Sequence, residues 1–174
     1  MEKIWLKSYP EGVPHDVYPG QYRSLTQLLE ESFRKNASRP FSVCMDRWMS
    51  YRQLDELSTA LGAWLQAQGL EPGARVAIML PNIPQFAVTM AAVLRAGYTC
   101  VNVNPLYTAR ELEHQLKDSG ATAIVILENF AKTLEEVIEK TPVKHVVMAS
   151  MGDLLGFWYG NWITFAVRHL AKMV

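Results

Sequence analysis

Between residues 75 and 148 four short apolar runs, RVAIML, TCVNV, TAIVIL and KHVVM, alternate with stretches that read as helices at about 84–96, 109–118 and 130–140. A chain that repeats strand, helix, strand closes most readily by pairing its strands in parallel, with right-handed crossovers laying the helices over the sheet. Each helical stretch carries its own stop: Arg95 then Gly97, Lys117 then Gly120, Lys140 then Pro142. The cation lies at the carbonyl end and the breaker just beyond. The fold class is therefore α/β, a parallel sheet with flanking helices. With 174 residues, 49% of them hydrophobic and 20% charged, the chain has the material for one ordinary core, and disorder is excluded.

Three segments follow from the same reading. Residues 1–23 hold Pro10, Pro14 and Pro19 with Gly12 and Gly20, which suits an extended arm, and Trp5, Tyr9, Tyr18 and Tyr22 are expected to pin it to the body. Residues 24–150 form the α/β body. It opens on Ser24 with Gln27, a capping-box pattern, followed by Leu25, Leu28, Leu29 and Phe33 at helical spacing. Residues 41–45 and 48–51 read as a hairpin turning at Asp46 and Arg47, without the preferred glycine. Ser50 with Gln53 starts a longer helix with Leu54, Leu57, Leu61, Trp64 and Leu65 as its inward stripe and Asp55 facing away; Gly69 ends it. Residues 151–174 form an amphipathic, aromatic-rich helix.

Charge and motifs exclude several functions. Seventeen basic and seventeen acidic residues cancel, so nucleic acid is not an expected partner. Cys44 and Cys100 lie far apart in apolar runs, without zinc spacing, and read as reduced thiols of a cytoplasmic protein. The N-terminus reaches Pro10 without the apolar stretch of a secretory signal. No dinucleotide-binding glycine fingerprint follows the first strand, where Pro81-Asn82-Ile83-Pro84 stands instead, and no phosphate-binding P-loop occurs. There is no G-x-S-x-G elbow, and His15, His114, His145 and His169 have neither triad nor metal spacing. No metal site is expected.

Three stretches carry a family resemblance. SYRQLDELSTALGAWL over 50–65 is similar to a segment near the start of adenylate-forming enzymes, and GARVAIMLPN over 73–82 resembles their G-D-R-V-A-I-x-L-P-N strand and turn, with Ala74 in place of the usual Asp. AVLRAG over 92–97, VNVNPLYT over 101–108 and ELEHQL over 111–116 resemble the bacterial long-chain fatty acyl-CoA synthetases. The resemblance implies the N-terminal subdomain of the adenylate-forming fold. It implies an enzyme that joins a long-chain fatty acid to AMP with Mg-ATP and then passes the acyl group to CoA. The Gly/Ser/Thr-rich loop and lysine that such enzymes use for ATP phosphates do not occur in this sequence. An N-terminal fragment, inactive alone and with no catalytic residue of its own, is therefore expected. In relatives CoA approaches loops that correspond here to Asn104, Tyr107 and Lys132. Turn formation and the Thr108–Glu111 capping pattern explain the same neighbourhood without a ligand.

The last segment, LLGFWYGNWITFAVRHLAKMV over 154–174, sets Asn161, Thr164, Arg168 and Lys172 on one side at helical spacing, and Trp158, Tyr159, Trp162, Ile163, Ala166, Leu170 and Met173 on the other. Such a helix suits the inner membrane surface, with Trp158 and Trp162 at headgroup depth and Arg168 and Lys172 near anionic lipid. It equally suits packing on further protein. Gly152, Gly156 and Gly160 have small-x-x-x-small spacing, a weak signal alone. The helical pattern runs to Val174 without a breaker, which reads as truncation. Two functions are carried forward: part of a long-chain fatty acid–CoA ligase, with homo-oligomers expected from open sheet edges, or a self-standing non-catalytic protein that binds acyl chains, membrane or a partner. Acyl chain-length preference is not encoded in these residues.

Overall fold

The computed structural model describes residues 2–17 and 19–174. Among the described residues six strands and six α-helices follow one another in the order the sequence predicts. Helix α1 (Leu25–Asn36) is capped by the Ser24 hydroxyl, which accepts from the Gln27 backbone N–H. The Gln27 side chain accepts from Arg23 N–H rather than Ser24 N–H, so the reciprocal half of the capping box is displaced by one residue. Phe33 is buried and Leu29 packs beside it, whereas Leu25, on the first turn beyond the body, is exposed.

The hairpin pairs β1 (Pro40–Cys44) with β2 (Arg47–Ser50), and Cys44 faces Arg47. Its turn is therefore Met45-Asp46, one position earlier than expected. Both residues take left-handed φ values, 48° and 59°, because a two-residue connection must follow the twist of the strands. Helix α2 (Tyr51–Ala67) begins with the complete Ser50–Gln53 capping box. Its inward line is Leu54, Ser58, Gly62 and Leu65, and Trp64 lies outside it and is exposed. Small residues at 58 and 62 let α2 press closely on α3 (Pro84–Arg95), so the seam departs from the stripe of large residues.

Strands β3 (Arg75–Met79), β4 (Thr99–Asn102), β5 (Ala123–Leu127) and β6 (His145–Ala149) form one parallel sheet in the order β4-β3-β5-β6. The side chains of the two central strands alternate between two cores. Ala77, Met79, Ile124 and Ile126 meet Leu112 and Leu116 of α4 (Ala109–Ser119) and Leu134 of α5 (Ala131–Glu135). Val76, Ile78, Ala123, Val125 and Leu127 meet Leu65 of α2 and Val93 of α3. Near-continuous apolar strands covered on both faces are the usual state of a parallel sheet. Gly120 closes α4 at φ 64°, as its position after Lys117 predicts.

Two expectations about the helices are corrected. The stretch 130–140 is not one helix: after α5 the backbone leaves helical geometry at Val137 (φ −129°), which sends that side chain into the core, and a 3-10 turn follows at Ile138–Lys140. The segment 151–174 is also not one helix. Turns lead to α6 (Phe157–Phe165), then to a π-helical turn, Ala166–Leu170. Helical geometry ends there, with Ala171 N–H donating to Ala166 O (2.8 Å), Met173 N–H to Val167 O (3.1 Å), and Lys172 at φ 50°. At the other end of the chain, Ile4–Ser8 and Pro19–Gln21 are 3-10 turns. Trp5 and Tyr9 are exposed, Tyr9 meets His15 edge-on within the arm, and only Tyr22 is half-buried; Tyr18 lies outside the described residues.

Candidate functional site

Because the four strands are parallel, their carboxyl ends share one rim. The chain leaves β3 toward β4 and leaves β5 toward β6, in opposite directions, so the crevice in which open α/β sheets take ligands lies between β3 and β5. Gln85, on the first turn of α3, is 7% exposed and donates through Nε2 to Ser150 O (2.8 Å). Glu128, directly after β5, is 6% exposed. Arg168 donates to its Oε2 from Nε (2.8 Å) and Nη2 (2.6 Å), and from Nη2 to Ser150 Oγ (3.2 Å). Asn129 donates through Nδ2 to Met173 O (2.9 Å). The tail of the chain is thus tied across the rim.

The chemistry of this rim is acceptor-rich. Gln85 Oε1, Glu128 Oε1 and Asn129 Oδ1 are buried without a donor among the described residues. Arg168 is committed to Glu128, whose hydrogen bond, and then whose charge, push the guanidinium pKa upward. A triphosphate brings negative charge and needs N–H donors, so the rim does not fit ATP phosphates. Among the described residues no group of three or more His, Cys, Asp or Glu is placed to hold a metal ion.

Asn104 and Tyr107 follow β4, and Lys132 lies on α5 after β5, so all three stand at the carboxyl side of the sheet. The ends of β4 and β5 are two strand spacings apart, about 10 Å. Asn104 Oδ1 accepts from Leu106 N–H (3.0 Å), which spends that oxygen on the turn. Tyr107 packs on the core below α4 and also lines an open groove of about 780 Å³ with Thr108, Arg110, Glu111, His114, Gln115 and Asp118. Thr108 caps α4, and its backbone N–H and hydroxyl hold the Glu111 carboxyl below its ordinary range. Lys132 is exposed and is absent from the groove lining, as is Asn104. The three residues share a rim without forming one enclosed site.

In the terminal segment the sides are the reverse of those of a helix on a protein surface. Thr164 and Arg168 face the body, while Phe157, Trp158, Trp162 and Phe165 are exposed. Arg168 is therefore not free for lipid, whereas Lys172 is exposed. Gly152 and Gly160 pack on each other so closely that a Cβ on either would overlap the other's carbonyl oxygen, so the small-residue spacing serves an internal contact. Among the described residues no helix is long and apolar enough to cross a membrane.

Sequence reasoning missed Glu128, Gln85 and Ser150. The signal for Glu128 was a carboxylate placed directly after a strand with no polar residue, since a charge there is either paired or functional.

The model of the AMP-binding enzyme family matches residues 29–158, three quarters of the chain. The chain belongs to the AMP-binding enzyme family. Within that family it is 49% identical over its whole length to a long-chain-fatty-acid–CoA ligase of Escherichia coli O157:H7, and 44% identical to the ligase of that name from Haemophilus influenzae. It spans 31% of the length of each of these relatives. Among solved structures, a long-chain-fatty-acid-CoA ligase from Archaeoglobus fulgidus superimposes with a TM-score of 0.70 at 28% identity, covering 81% of this chain and 30% of that one. The architecture is that of the N-terminal domain of adenylate-forming enzymes, as the resemblance implied.

Proposed function

We propose that this chain is the N-terminal part of an AMP-forming long-chain fatty acid–CoA ligase, which converts ATP, fatty acid and CoA to acyl-CoA, AMP and diphosphate. The observation that carries this reading is 49% identity over the full chain to an enzyme named for that activity, at 31% of its length. The rim chemistry supports a division of labour. Around Glu128 the rim presents unpartnered acceptors, and among the described residues there is no cluster of three metal-ligating side chains; both support assigning ATP and Mg to other parts of the ligase, with this part as scaffold and substrate approach. CoA brings phosphates and an adenine; Lys132, exposed on the same rim as Asn104 and Tyr107, offers a cation to the former. The reading places the enzyme in the cytoplasm, peripheral on the inner membrane surface, where long-chain fatty acids partition.

The test is palmitate- and ATP-dependent acyl-CoA formation by the complete open reading frame that encodes this chain, beside the 174-residue polypeptide. Activity in the former alone is expected. Activity in the short chain would overturn the division of labour, and activity in neither would overturn the ligase reading in favour of a non-catalytic protein.

A further inference from the structure

We propose that residues 157–173 are a hinged strap that lifts from the crevice between β3 and β5 and admits there a group bearing N–H or O–H donors, not a phosphate. The device goes beyond the ligase reading and does not need it. Beneath the closed strap lie acceptors whose roles are fixed. Gln85 donates through Nε2 to Ser150 O, so turning its amide over would set two oxygens against each other, and Oε1 stays the free end. Asn129 is fixed alike by its bond to Met173 O. Glu128 spends Oε2 on Arg168 and keeps Oε1. All of these free oxygens are buried without a donor among the described residues, and Gln85 and Glu128 are more than nine-tenths buried as whole residues. Ser150 joins the set: its carbonyl accepts from Gln85, its hydroxyl from Arg168 Nη2, and that guanidinium holds Glu128.

Little holds the strap down. Of α6 only Gly160 is buried, and of the π-helical turn no residue is. The ties are polar: Arg168 on Glu128 and Ser150, the Met173 carbonyl accepting from Asn129, and the Arg47 guanidinium 5.0 Å from the centre of the Tyr159 ring. Against them stands the hydration that the covered oxygens have lost. A segment with few buried apolar contacts belongs to the least stable part of a fold. The chain also carries a pivot. Gly156, directly before α6, takes φ 87°, and nothing lies within 4 Å of where a Cβ would stand. Lifting about Gly156 parts Gly160 from Gly152 and opens the crevice to donors.

The crevice selects its occupant by charge and by hydrogens. With the strap lifted, Glu128 faces the crevice without its partner, and an anion is turned away. One water brings two hydrogens to the free oxygens of Gln85, Glu128 and Asn129. A hard cation would find one carboxylate and two amides, short of the about six to eight oxygens that Ca2+ takes. A neutral or cationic group with several N–H bonds, an amide or a guanidinium, satisfies the whole set.

The experiment uses the protein of the complete open reading frame, so that whatever else lies on the strap takes part. Gln85→Cys puts a thiol in the crevice. Its alkylation at pH 8 is followed by mass spectrometry beside that of Cys100, which sits on β4 and reports opening of the whole fold. The introduced thiol is expected to react faster than Cys100, and about tenfold faster again with Arg168→Gln, while Cys100 keeps its rate. Iodoacetamide is expected to outpace iodoacetate at position 85 by more than it does on free cysteine. An introduced thiol no faster than Cys100, or indifferent to Arg168→Gln, would overturn the strap, as would two thiols that accelerate together. The same discrimination at position 85 as on free cysteine would overturn the donor-selective crevice. Hydrogen exchange of the unmodified protein needs no substitution: amides of 160–168 are expected to exchange at least about a hundredfold faster than those of β5, and equal protection would overturn the strap. Acyl-CoA formation by the same preparation tests the ligase reading separately.

Discussion

Arg95 does more than its place at the end of a helix suggests. It reads in sequence as a cation complementing the helix dipole, yet it ties three helices: Nε donates to Glu30 (2.7 Å), Nη2 to Asp55 Oδ1 (2.8 Å), and Nη1 to Asp55 O (2.9 Å) and to the buried Ser58 hydroxyl (2.7 Å). The partners come from α1 and α2, at sequence distances over which no helical spacing relates them, so the tie was not legible. Arg95→Ala is expected to cost about 1–2 kcal/mol in urea unfolding, from loss of the charge-assisted hydrogen bond to the buried Ser58 hydroxyl and of the tie between helices; Ser58 and Thr59 still donate to the Asp55 carbonyl, and the Glu30 and Asp55 carboxylates retain water. Arg95→Lys is expected to recover part of that loss through its charge, but not the forked geometry. Cys100 behaves differently. Burial pushes its thiol from 9.0 up to about 11. Its contribution to stability is therefore fully present below pH 9 and is lost as pH climbs toward 11, because the unfolded thiol ionises first. Iodoacetamide labelling of the native chain at pH 8 is expected to spare Cys100; rapid alkylation there would contradict its burial.

Among the elements, every strand and most helix ends were legible, because glycine, proline and terminal cations mark them and both faces of the sheet are apolar. The two elements that departed from expectation did so where tertiary contact overrode local pattern. Val137 leaves the helix to reach the core, and 157–173 obeys Glu128 and Gly152 rather than its own periodicity. The candidate site was less legible than the fold: Asn104, Tyr107 and Lys132 follow β4 and β5 as the strand order implies, but Glu128 and its partner Arg168 lie forty positions apart, and no motif joins them. The Gly152–Gly160 contact makes the docking of α6 testable on its own. Gly160→Ala overlaps the Gly152 carbonyl and is expected to cost about 1–3 kcal/mol locally. Tryptic cleavage at Arg168 should accelerate several-fold while the unfolding midpoint of the sheet stays nearly unchanged. An unaltered cleavage rate would mean that the contact does not hold the segment.

For the molecule as a whole, the open margin of the sheet matters most. Val146 and Met148 on β6 stand opposite Ile124 and Ile126 in register but are exposed, because α4 and α5 cover only the middle of that face. Uncovered apolar side chains beside an edge strand invite association, and light scattering of the isolated chain is expected to show species heavier than one copy. Met148→Lys should shift them toward the monomer; a monomeric unmodified chain would show that this margin is inert. The order β4-β3-β5-β6 has a further consequence, in time rather than space. During synthesis β3 gains β4 early, but its other side stays unpaired until Ile124 arrives to face Ala77. At ribosomal rates that interval lasts about two to ten seconds, long enough for a strand that is buried from Val76 to Met79 in the finished protein to be the one its nascent chain most needs shielded.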